Sequence, residues 1–128
     1  MDDSRSAVGQ GKVTVAPSVL TTIVRLTALE QEGVHRLAPV PRPMRGLLTG
    51  GRADEGILLG IGDDGVSLEL HVVADANANM LKLGDTLQTE VTRAIEEMVG
   101  LPVKTIDVYI DDVFLPTGAG DLPPGQAG

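Results

Sequence analysis

Residues 56–75, GILLGIGDDGVSLELHVVAD, constrain the fold more than any other stretch. Two apolar runs are separated by an Asp-Asp-Gly turn, and Asp64-Gly65 between such runs is a strong hairpin signal. In the second run Val66, Leu68, Leu70 and Val72 alternate with Ser67, Glu69 and His71. A period of two puts the first set on a buried face and the second on a wet one, the pattern of a sheet covered on one side only. Something else in the chain must then supply the cover.

Two segments have helical spacing. SVLTTIVRLTALEQEGV follows Pro17, which can open a helix. Val19, Ile23 and Leu26, with Leu20, Val24 and Thr27 beside them, read as its apolar stripe, and Gly33 as its stop. MLKLGDTLQTEVTRAIEEMVG places Leu83, Leu87, Val91, Ala94, Ile95 and Met98 on one face, with Gly100 and Pro102 ending it. Alternation also marks GKVTVAP as a short opening strand and VKTIDVYIDDVFL as a closing one, with Ile106, Val108 and Ile110 inward and Thr105, Asp107, Tyr109 and Asp111 outward. The expected fold is α+β: a two-layer sandwich in β-α-β-β-α-β order. Four mostly antiparallel strands would carry two helices on one face, with a ferredoxin-like arrangement favoured.

The chain of 128 residues suffices for one domain with a real core. Tyr109 and Phe114 are its only aromatic residues, so the core must be aliphatic, and base stacking is almost excluded as a binding mode. The absence of cysteine removes disulfides, thiolate metal sites and cysteine nucleophiles. Apolar patterning runs from about Lys12 to Leu115, and the domain is set at residues 11–116. The opening residues 1–10 and the Gly/Pro-rich tail 117–128 have little to bury and read as disordered. MDDSRSAVGQG lacks the apolar core of a secretory signal, and no apolar run is long enough to span a bilayer. The expectation is a cytoplasmic protein that meets a membrane only through a partner.

A net charge of -8 argues against general nucleic-acid binding. The charge is uneven: residues 1–52 carry seven basic and four acidic residues (+3), leaving -11 for residues 53–128. Within the basic half, PVPRPMRGLLTGGR (39–52) raises the question of a phosphate loop. Gly46 and Gly51 have Walker A separation, but Arg52-Ala53 and a strand follow them, where that motif needs Lys-Ser/Thr opening a helix. Pro39, Pro41 and Pro43 instead break both regular structures and keep the segment turning or extended. The segment therefore reads as a surface loop, with Met44, Leu47 and Leu48 available for docking.

No catalytic constellation emerges. His71 and Glu69 share a strand face, but spacing specifies no third ligand for a catalytic metal, and His35 reads as a partner for the last carbonyls of the first helix. The carboxylate pairs Asp63-Asp64, Glu96-Glu97 and Asp111-Asp112 fall on a turn, a helix face and a strand end, where charge solvates. The serines lie in no nucleophile elbow. Neither an enzyme nor a cofactor is expected.

Three segments, GKVTVAPSVLTTIVRLTALEQEGVHRL, GVSLELHVVAD and LQTEVTRAIEEMVGLPVKTIDVYIDDVFLP, resemble the alkaline shock protein family of bacterial envelope stress proteins. The likeness rests on Gly33-Val34 after the first helix and on Met98, Gly100, Leu101 and Val103 at the turn after the second. It implies a cytosolic, non-enzymatic protein of the envelope or alkaline stress response. The resemblance also implies that some members are held at the inner face of the membrane by small membrane-anchored partners and can self-associate. The resulting expectation is a scaffold or adaptor whose contact surface comprises Lys12, Glu69, His71, Asp107, Tyr109 and Asp111 on the outward sheet face. The loop residues Arg42, Arg45, Leu47, Leu48 and Arg52 complete it. The competing reading is a nucleotide- or nucleic-acid-binding module built on Arg42, Arg45 and Arg52.

Overall fold

The computed structural model describes residues 11–39 and 51–116. The termini 1–10 and 117–128 and most of the arginine-bearing loop lie outside the described residues. The elements are α1 (Pro17–Glu30), β1 (Val34–Leu37), β2 (Gly51–Asp54), β3 (Ile57–Gly62), β4 (Gly65–Asp75), α2 (Met80–Met98) and β5 (Val103–Phe114).

The β3–β4 hairpin forms as the sequence suggests, with Asp63 and Asp64 in the turn and six paired positions from Gly62↔Gly65 to Ile57↔Leu70. β4 is the axis of the sheet. One of its edges pairs with β5 in parallel from Val66↔Val103 to Asp75↔Phe114. The other edge is shared: β3 takes its first half, and β1 takes Val72 to Ala74, antiparallel. The two meet at His71, whose carbonyl accepts from the Ala38 N–H (2.9 Å) and whose N–H donates to the Gly56 carbonyl (2.8 Å). β2 pairs antiparallel with β3. Five strands thus make a sheet four strands wide.

The α+β class, the two helices on one face and the mostly antiparallel sheet are as expected. The ferredoxin-like arrangement is not found, because β4 and β5 are adjacent and parallel, joined across α2. The opening strand is also absent: residues 11–16 are irregular, and both edges of β4 are taken by β1, β3 and β5. β1, unforeseen, replaces it. A bulge between Val34 and Arg36 breaks its alternation and hid VHRL from a period-two reading.

Both helices pack on the face bearing Val66, Leu68, Leu70, Val72 and Ala74. α1 buries Leu20, Thr21, Val24 and Ala28, while Val19, Leu26 and Leu29 are exposed, so its stripe is rotated from the expected one. The Thr21 hydroxyl donates to the Ser18 carbonyl (3.0 Å), which satisfies a polar group in the core. α2 buries Leu83, Leu87, Val91 and Ile95 as expected, but Met98 is exposed. The Asn79 side chain caps it by accepting from the Lys82 N–H at 3.0 Å. Apart from Thr21, the buried core between helices and sheet is aliphatic. Each such side chain contributes about 1.5–3 kcal/mol on burial, so the scarcity of aromatic residues is no obstacle to a stable layer.

Packing dictates glycine at position 56. Gly56 has φ +75°, and a Cβ there would lie 2.7 Å from the Leu37 Cβ and 3.0 Å from the His71 carbonyl. Only glycine lets β1 and β3 close end to end.

Candidate interaction face

The sheet face away from the helices gathers most of the chain's distinctive chemistry. Alternation along β4 places Ser67, Glu69, His71, Val73 and Asp75 there, and the register of β5 sets Asp107 opposite Glu69 and Tyr109 opposite His71. The His71 and Tyr109 rings stack at 4.7 Å with planes 8° apart. His71 Nδ1 lies 2.7 Å from Asp111 Oδ2, and Nε2 lies 3.5 Å from Glu69 Oε1. A bulge between Val72 and Val73 in the β4–β5 ladder turns Asp111 back toward His71.

A second stack sits at the end of the same face. His35 and Phe114 lie 3.8 Å apart with planes 4° apart, and His35 Nδ1 is 3.5 Å from Asp75 Oδ1. The rings approach from β1 and β5, on opposite sides of β4. His35 therefore does not cap the helix as expected; the bulge in β1 sends it over the sheet. Both histidines and both aromatic residues of the chain are used in these two pairs.

Of the expected surface residues, Glu69, His71, Asp107, Tyr109 and Asp111 come together. Lys12 does not join them, since residues 11–16 form no strand. Arg42, Arg45, Leu47 and Leu48 lie outside the described residues, and Arg52 falls in β2. Sequence reasoning missed His35, Asp75 and Phe114, whose grouping depends on a bulge and on strand order. The face is not simply wet either: His71, Val73 and Leu58 are each less than 5% exposed.

An imidazole between carboxylates invites comparison with a catalytic dyad. A nucleophilic triad needs one ring nitrogen on a carboxylate and the other on a hydroxyl or thiol. Here both nitrogens face carboxylates, and the ring is 3% exposed. Among the described residues no group of three or more His, Asp or Glu side chains could hold a metal ion. No helix among them is long and apolar enough to cross a membrane.

The fold and this face define a small α+β domain with a ring-bearing acidic sheet surface. The chain belongs to the alkaline shock protein 23 family, of cell envelope-related function, whose model matches residues 5–115. It is also similar to the uncharacterized protein YqhY of Bacillus subtilis (strain 168), at 23% identity over 120 residues, 88% of this chain and 84% of the relative. No solved structure matches.

Proposed function

We propose that the chain is a non-enzymatic adaptor of the cell-envelope stress response, acting by protein–protein contact through the sheet face away from the helices. The observation that carries this reading is the convergence of both histidines and both aromatic residues on that face, in two stacked pairs beside carboxylates. Stacking fixes the rings in place, so a partner meets a preformed surface. The family's envelope-related function supplies the setting. A small membrane-anchored protein is the kind of partner that would hold the chain at the inner face of the membrane.

Site-specific photo-crosslinking tests the proposal. A crosslinking side chain at Thr105, exposed on the outer face, is compared with one at Thr89, exposed on α2. A discrete protein adduct from intact cells at Thr105 alone is the expected result. Adducts of equal yield at both positions, or none at either, would refute the assignment.

A further inference from the structure

Among the described residues β5 pairs only with β4, so one edge of a twelve-residue strand has no neighbouring strand. Side chains close the ends of that edge. Glu96 accepts from the Val103 N–H at 3.2 Å, Gln88 donates to the Ile106 carbonyl at 3.0 Å, and Asp112 accepts from the Val113 N–H at 2.8 Å. Successive residues of a strand turn their main-chain groups to opposite edges. With the Ile106 carbonyl taken by the helix side chain, Val108 and Ile110 present their groups on the same edge. The open part is therefore short and central.

Its flanks on the outer face are Asp107, Tyr109 and Asp111, two carboxylates around a ring that is 42% exposed. A second copy is a poor occupant. Edge-to-edge pairing through β5 would bring Asp107, Asp111 and Asp112 of each copy together, with Lys104 the only cation in each strand. Lys104 is already held by Asp64 at 3.0 Å.

We propose that this edge accepts an extended cationic segment of a partner protein as an added strand. Its main chain pairs with Val108 and Ile110, and alternate arginines lie opposite Asp107 and Asp111 and against the Tyr109 ring. The proposal rests on the adaptor reading and adds the partner's chemistry and mode of docking.

The test uses the full chain and a blocked peptide, Thr-Arg-Val-Arg-Val-Arg-Thr, followed by fluorescence anisotropy, with glutamate replacing arginine in the control peptide. D107N/D111N should weaken binding by about fivefold, whereas D85N/E97Q on α2, with the same change in net charge, should alter it by less than about twofold. Exchange of the Val108 and Ile110 amide hydrogens should slow when the peptide is bound. Urea midpoints of both variants separate loss of binding from loss of fold. Absence of binding, equal loss in both variants, or binding without amide protection would each overturn the proposal. The peptide assay needs no cellular partner, so a bound and protected edge with no crosslink at Thr105 would refute the adaptor reading alone.

Discussion

Replacing Gly56 by alanine tests the junction on which the sheet depends. The φ of +75° costs an L-residue about 1–2 kcal/mol. The added Cβ also lies 2.7 Å from the Leu37 Cβ, an atom fixed to the backbone of β1, and overpacking of this kind costs about 1–3 kcal/mol. The expected loss is about 2–5 kcal/mol, a large share of the roughly 5–15 kcal/mol that holds a domain folded. Gly100 isolates the first contribution, because its φ is +83° and nothing lies within 4 Å of its would-be Cβ. In urea denaturation, with a slope of about 1.5 kcal/mol/M, Gly56→Ala should lower the midpoint by about 2 M and Gly100→Ala by about 1 M. Equal shifts in the two variants would refute the argument that β1 and β3 are held apart only by the space of a hydrogen.

Leu87→Ala removes a fully buried side chain from α2 and should cost about 2–5 kcal/mol by chemical denaturation; a loss under about 1 kcal/mol would contradict its place in the core. Asp64 titrates below its ordinary value of 3.8, first because Lys104 donates a hydrogen bond to it and then through charge attraction. Such a depressed carboxyl contributes stability that is present above the unfolded pKa and lost as pH falls through the folded one. Lys104→Met should raise the Asp64 pKa toward the ordinary value in a carboxyl-resolved NMR titration, and an unchanged titration would rule out the pairing in solution. The +3 and -11 halves of the chain should drive concentration-dependent, head-to-tail oligomers at low ionic strength that dissociate near 1 M salt, where the Debye length is about 3 Å. Light scattering from a strict monomer at both salt levels would reject that expectation.

The parts of the fold legible in the sequence are those governed by local periodicity. The β3–β4 hairpin, the buried face of α2 and the alternation of β5 follow from spacing alone. β1 escaped because its bulge puts Val34 and Leu37 three apart, and Val13 and Val15 misled because alternation cannot reveal whether a ladder partner exists. The α1 stripe was misplaced since apolar residues occur around much of the helix, and only tertiary packing selects Leu20, Val24 and Ala28. For the site, His71, Glu69 and Tyr109 could be read from strand alternation. Asp107 and Asp111 fall on the same face by the same alternation, whereas the pairing of His35 with Phe114 could not be read, because it depends on the β1 bulge and on strand order.

The sharing of β4 among three partners also orders events in time. β3 reaches it through a two-residue turn, so the hairpin can close in about 1–10 μs. β5 arrives only after α2 has been spanned, and β1 must pair across the long stretch that separates Leu37 from Val72. Closing longer loops adds entropy cost before any contact offsets it. Substitutions in the hairpin turn should therefore slow refolding, whereas those in β1 should chiefly hasten unfolding. A chevron in which β1 variants slow refolding as much as turn variants would reverse that order of assembly.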